Sequence, residues 1–358
     1  MNTRFTRRGL LKGGAGALAL MTAARRVQAA APAPVPMLGS DARASVALMK
    51  GEDRRRNVYS ALMAIDGQIA PVLKQKKYVV IKPNNVSTVN QLAATHADAL
   101  RGMLDYLSER FHGPVMIAEA SAGETMEGFE NFHYARAASE YKNLGVSLLD
   151  LNAEGKYQVL PVLDFDLHLT PVRLAARLMD PEAFVLCAAI LKTHNTVVAT
   201  LSVKNMCLGA PLHQAPKETP RWNDKRKYHG GVRQTHYDMM LTAQKLKPFW
   251  GATVIDGYEG MEGNGPASGT PVPSRLAIAS TDYVAADRVG LEVMGVKPEH
   301  VGYLLYCWQS GLGQYQLNKI DVIGERPDTV QKIYRQHNDI ERQLQWMGPM
   351  LDLPPKIG

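Results

Sequence analysis

The sequence predicts an α/β protein: a largely parallel mixed sheet flanked by helices, with a ligand site at the carboxyl ends of its strands. Three observations lead there. Short apolar runs such as Phe184-Val185-Leu186-Cys187-Ala188-Ala189-Ile190 alternate with stretches of helical periodicity. That alternation favours parallel strands joined by right-handed crossovers. Lys82, Glu119, Lys192 and Asp256 each stand at the end of such a run, the edge where open α/β sheets place their ligands.

The chain has 358 residues, enough for one large α/β domain, with 46% hydrophobic and 21% charged residues. Its net charge of +7 is concentrated at the N-terminus. Residues 1–29 hold Arg4, Arg7, Arg8, Lys12, Arg25 and Arg26 and no acid, six of the seven excess charges, so the rest carries +1. Nothing in that remainder calls for a nucleic-acid partner. Thr6-Arg7-Arg8-Gly9-Leu10-Leu11-Lys12 resembles a twin-arginine export signal. The apolar run from Gly13 to Ala24 is too short for a stable membrane anchor, and Val27-Gln28-Ala29 suits cleavage. The expected organisation is a signal peptide over 1–29, a linker over 30–45, an α/β domain over 46–327, and an amphipathic helix and tail over 328–358. The expected location is periplasmic or extracellular, with the twin-arginine translocase as a partner during export.

Within the domain, Lys77 to Ile81 reads as a strand ending at Lys82-Pro83-Asn84-Asn85, where Pro83 stops the ladder. Thr95 to Arg110 is helical, with Leu100, Met103, Leu104 and Leu107 as its stripe. Val115 to Ala118 is a strand leading into Glu119, Phe132 to Asn143 a helix, and Val146 to Leu149 a strand. After the strand at 184–190 the spacing predicts a helix over Thr196 to Leu208, closed by Gly209. On it Thr196, Thr200 and Lys204 would share a polar face near a helix N-terminus that favours anions. Pro211 to Gly231 is too long and polar for an ordinary connector and reads as a flap or surface excursion; it holds His213, Arg221, Lys225, Arg226 and His229. A helix over His236 to Leu246, strands at 252–255 and 275–279, helices at 282–294 and 298–310, and a strand at 321–323 follow. The tail from Asp328 to Met347 has an apolar stripe and is expected to pack on the domain or on a second subunit, making a homo-oligomer a candidate state.

These positions predict a site for a small anionic ligand. Lys192, His194 and Lys204 are the candidate catalytic residues: lysines act as point charges on anionic oxygens, and His194 suits acid/base work. Lys82, Asn84, Asn85, Thr196, Thr200, Asn205 and Asn264 are the candidate substrate-binding residues. His229, Asp256 and Glu262 could supply a mixed nitrogen and oxygen set for a divalent metal, the candidate cofactor. The Gly-rich run from Asp256 to Pro266 is neither a P-loop nor an EF-hand. There is no G-x-S-x-G elbow. The three cysteines, Cys187, Cys207 and Cys307, form no C-x-x-C pair, so no iron–sulfur cluster is expected. One disulfide is allowed, its pair left open.

Lys82-Pro83-Asn84, the block from Lys192-Thr193-His194 to Lys204-Asn205 with Gly209, and Asp256-Gly257 with Glu262-Gly263-Asn264-Gly265-Pro266 and Gly269 together resemble the domain of unknown function 362 family. Asp282 and Ala285-Ala286-Asp287 fit its next element, and the resemblance runs over roughly residues 78 to 325. Many members carry cysteine-rich iron–sulfur segments, which this chain lacks. The resemblance implies a fold and a site, not a reaction. The leading expectation is an exported enzyme acting on a small anionic substrate, with metal assistance a candidate feature. The alternative is a periplasmic metal- or anion-binding or cofactor-maturation protein without turnover.

Overall fold

Val79, Val80 and Ile81 lie near the middle of a ten-stranded sheet in the computed structural model, which describes residues 39, 41–215 and 217–349. The expected signal peptide, most of the expected linker and the last residues of the expected tail lie outside these. Strand β1 (Ala44–Lys50) comes first, followed by helices α1 (Arg54–Ala64) and α2 (Asp66–Leu73). Then come β2 (Tyr78–Lys82), α3 (Ala97–Arg110), β3 (Val115–Glu119) and β4 (Ser147–Asp150). A separate hairpin, β5 (Tyr157–Leu163) and β6 (Leu169–Ala175), precedes β7 (Ala183–Thr193), β8 (Ala199–Thr200) and α4 (Ser202–Gly209). The chain continues through α5 (Val232–Leu246), β9 (Trp250–Glu262), β10 (Thr270–Val272), β11 (Leu276–Ser280), α6 (Tyr283–Met294), α7 (Gly302–Gln309) and β12 (Ile320–Gly324).

The strand order is β12-β1-β11-β9-β7-β2-β3-β4. From β9 through β7, β2 and β3 to β4 every pairing is parallel, while β11 runs antiparallel to both β9 and β1. The predicted α/β class is therefore the observed one. Strand β7 is buried at all eleven positions, which is why it reads as a continuous apolar run rather than an alternating one. Successive side chains of a strand face opposite ways. On one face Leu186, Ala188, Ala252 and Val254 meet α1, α2 and α3 through Val58, Leu62, Ile69, Leu100 and Leu104. On the other, Val185, Cys187, Leu191 and Ile255 meet α4 to α7 through Val203, Met239, Val289 and Leu304. Burying a Leu or Val of this kind is worth about 1.5–3 kcal/mol.

Several expectations are corrected. The helix foreseen over 196–208 begins only at Ser202. Before it, the His194 Nδ1 accepts the backbone N–H groups of Thr196 and Val197 at 3.1 and 3.3 Å, and the chain folds back as β8 on β7. Val198 has φ of 69° there. The β-branched run Thr196-Val197-Val198 resists helix, and a local side-chain acceptor offers its N–H groups an alternative. The C-terminal segment is not one helix. After a one-turn helix at Pro327–Val330 it runs as an irregular strap, and helical turns return only at Ile340–Gln343 and Leu344–Met347. The N–H groups of Lys332 and Tyr334 bond to the carbonyls of Val293 and Met294 at 2.9 Å each, so tertiary acceptors replace intrahelical ones. The strap packs on the domain through Val330, Tyr334 and Trp346, but Ile333 is 74% exposed. No helix among the described residues is long and apolar enough to cross a membrane.

Candidate functional site

Lys82 and Glu119 are the last residues of β2 and β3, and Lys192 stands one residue before the end of β7. All three are buried. Parallel pairing brings these ends to one edge, where α4 packs against β7. The Lys82 ammonium donates to the Pro83 carbonyl, to Glu119 Oε2 and to Asn205 Oδ1, each at 3.0 Å. Asn205 Oδ1 also accepts from Asn84 Nδ2 at 3.1 Å, and Asn84 Oδ1 accepts from the Lys192 ammonium at 2.9 Å. Lys192 completes its set with the carbonyls of Ala93 and Pro266 at 2.9 and 3.1 Å. A continuous hydrogen-bonded chain thus runs from Lys192 through Asn84, Asn205 and Lys82 to Glu119. It ties three strands to α4. Burial, and next the charge of Lys204, push the Lys192 ammonium well below its ordinary pKa.

Above this floor lies a cavity of about 370 Å³. Asn84, Asn85, Glu119, His194, Lys204 and Asn205 line it, together with Asn195, Asn223, Lys225, Arg226 and His229. Lys204, only 5% exposed, makes no hydrogen bond or ion pair among the described residues. Its pKa is pushed down to about 8, first by burial, then by the Lys82 charge, with Glu119 acting the other way. Lys225 donates to the carbonyls of Leu208 and Gly209 at 3.3 and 3.1 Å, so it closes the C-terminus of α4. Burial pushes its pKa down to about 7. Arg226 and His229 stand exposed at the rim.

The expected helix N-terminus does not serve this cavity. The first N–H groups of α4, from Ser202 and Val203, are taken by the buried Asp287 carboxylate of α6 at 2.8 and 3.0 Å. One side of α4 faces the cavity instead, through Lys204 and Asn205 in its first turn and Leu208 and Gly209 at its end. Gly209 is not a left-handed cap either. A Cβ there would stand 2.2 Å from the Lys82 Nζ, so the glycine makes room for that ammonium.

His194 is buried and its pKa lies well below the ordinary value, through burial first and the Lys204 charge second. Because Nδ1 accepts two backbone N–H groups, the neutral ring carries its proton on Nε2. The group is therefore a hydrogen-bond donor at neutral pH rather than a free base.

Other expected residues go elsewhere. Asp256 lies within β9 on the face shared with Ala252 and Val254, toward α1, where it meets Arg54 at 3.3 Å. Glu262 accepts the Arg335 N–H at 2.9 Å and pairs with that guanidinium at 3.5 Å. His229, Asp256 and Glu262 thus do not converge, and no group of three or more His, Cys, Asp or Glu side chains among the described residues is set to hold a metal ion. The cavity itself offers a divalent cation one carboxylate, Glu119, already engaged by Lys82 and the N–H of Ala120. Ligating histidines normally donate their second ring N–H, and His194 does the opposite. These donors do not fit a divalent metal. Asn264 accepts the Asn338 N–H at 3.1 Å, Thr196 sits in the turn after β7, and the buried Thr200 pairs with Lys192 in the ladder. None of the three lines the cavity. Lys225 and Arg226 were not foreseen as site residues; the clustered bases of the long 211–231 excursion were the available signal. The three cysteines are free and buried.

A family model described as "Domain of unknown function (DUF362)" matches residues 79–292, more than half of the chain. The chain belongs to that family. No curated protein matches it. Among solved structures, a crystal structure of a Thermotoga maritima protein from a structural genomics programme aligns at 14% identity with a TM-score of 0.34. That alignment covers 60% of this chain and 52% of the other, so the match spans about half the length of that protein.

Proposed function

We propose that this member of the domain of unknown function 362 family binds a small anionic molecule in the Lys204 cavity and acts on it as an enzyme. One observation carries the reading: a buried ammonium with no partner among the described residues faces a cavity whose other charged groups are mostly cationic. An unpaired buried charge costs several kcal/mol, and an anion supplied from solution offsets that cost. Arg226 at the rim attracts such an anion, Lys225 stands beside its path, and the Nε2–H of His194 offers a neutral donor. Lys204, Lys225, Arg226 and Glu119 all border the cavity, and so many charged groups disfavour a lipid or purely hydrophobic occupant.

The test is calorimetric titration with sulfate, which keeps its double charge across the useful pH range. Wild type should show one saturable site. Lys204→Met should weaken it by about 1.5–3 kcal/mol, the worth of a hydrogen bond to a charged group, while thermal unfolding shows that the variant still folds. Equal affinity in the two proteins would remove Lys204 from the site. Undetectable binding in both would reject the anion reading.

The proposed place of action is outside the cytoplasm, after export by the twin-arginine route. Arg7 and Arg8, with the basic and apolar run that follows them, support this. Replacing both by lysine should abolish export and processing in a bacterial host. Unchanged export of that double variant would contradict the assignment.

A further inference from the structure

We propose that Lys204 is a nucleophile that forms a covalent imine with the carbonyl carbon of a small anionic aldehyde or ketone. The proposal rests on the anion-binding reading of the same cavity and adds the substrate class. Five lysines and arginines meet at this site, and their surroundings divide the labour. Lys82 and Lys192 are each saturated by three acceptors and are structural. Lys225 is held by two carbonyls at the end of α4. Arg226 is exposed and stays charged at any ordinary pH. Among the described residues, Lys204 alone of the site's buried lysines has no acceptor holding its protons.

A lysine serves as a nucleophile when desolvation and a neighbouring cation favour its free amine. Both conditions act on Lys204, through its burial and through Lys82, and its pKa of about 8 leaves a substantial free-amine fraction near neutral pH. Arg226, charged at any ordinary pH, provides the complementary service, since it can hold the substrate's anionic group while the carbonyl meets Lys204. His194, with its proton on Nε2, can donate to the carbonyl oxygen as charge develops there.

The step balances without a redox partner. The amine nitrogen attacks the carbonyl carbon, a C–N bond forms, and the C=O π pair moves to oxygen, which takes a proton from the nitrogen. The C–O bond of this carbinolamine then breaks as the nitrogen lone pair forms C=N. The oxygen leaves as one water carrying the two original amine hydrogens.

The experiment is reductive trapping. The full chain is incubated at pH 7.5 with glyoxylate or pyruvate, treated with borohydride and mapped by peptide mass spectrometry. One reduced adduct is expected on Lys204, at least about tenfold above any exposed lysine, because those remain protonated. Sulfate should suppress it, and Lys204→Arg should lack it while unfolding at a similar temperature. If the arginine variant does not fold, the wild-type peptide map still locates the adduct. No adduct on Lys204 in a protein that binds sulfate overturns the imine proposal and leaves the anion site standing. Labelling spread evenly over exposed lysines, and unaffected by sulfate, overturns it as well. Failure of both trapping and sulfate binding rejects the cavity reading itself.

Discussion

Gly209 shows how one absent methyl group can set a charge in place. The Lys82 ammonium reaches Glu119 and Asn205 only because nothing projects from Gly209; a Cβ would stand 2.2 Å from Nζ and 3.5 Å from Glu119 Oε1. Gly209→Ala should drive Lys82 out of its three hydrogen bonds. Overpacking of a dense interior typically costs about 1–3 kcal/mol, and a loss of unfolding free energy of that size, read from denaturant melts, should accompany weakened sulfate binding. An alanine variant with unchanged stability and affinity would show that Lys82 is not held as described. His194 carries a comparable lesson about reading residues one at a time. Its identity alone suggests a base or a metal ligand, yet two backbone N–H groups fix its tautomer and make it a donor. Residue type was legible in the sequence, whereas the tautomer depends on a turn that residue periodicity does not reveal.

Among the elements, the central parallel strands were the most legible, because β2, β3 and β7 are buried runs bounded by clear loops. With them came the placement of Lys82, Glu119 and Lys192 at one edge. Helix α4 begins at Ser202 rather than at Thr196, and its first N–H groups meet a carboxylate of the protein instead of the cavity. Asp287, 84 and 85 residues away in sequence, occupies its N-terminus, and Lys225 occupies its C-terminus. Cations are favoured at a helix C-terminus and anions at the start, so both contacts follow the dipole. Neither partner can be assigned from local sequence, since each arrives from a distant element. Asp256 failed for a simpler reason. Strand β9 continues to Glu262 instead of stopping before Gly257, and the side-chain alternation of a strand turned the carboxylate toward α1 and Arg54.

Across the whole molecule, the site forms where the parallel half of the sheet, α4 and the 211–231 excursion meet. The excursion matters because it brings Lys225, Arg226 and His229 over strand ends that already hold Lys82 and Lys192. The result is a cavity lined, among the described residues, by one carboxylate, Glu119, itself spent on Lys82. The sequence order of the basic residues was visible, but their convergence depends on long-range packing. The pH profile of sulfate affinity tests the anion site most directly. A lysine is cationic below its pKa, so Lys225 (about 7) and Lys204 (about 8) should both be charged at pH 6 and largely neutral at pH 9. Sulfate stays doubly charged throughout, so the change in affinity reports on the protein. Wild-type affinity should fall by at least about tenfold over that range, and Lys204→Met should begin weaker and fall less. Affinity that is flat or rising with pH, or the same slope in both proteins, would contradict an anion site built on Lys204.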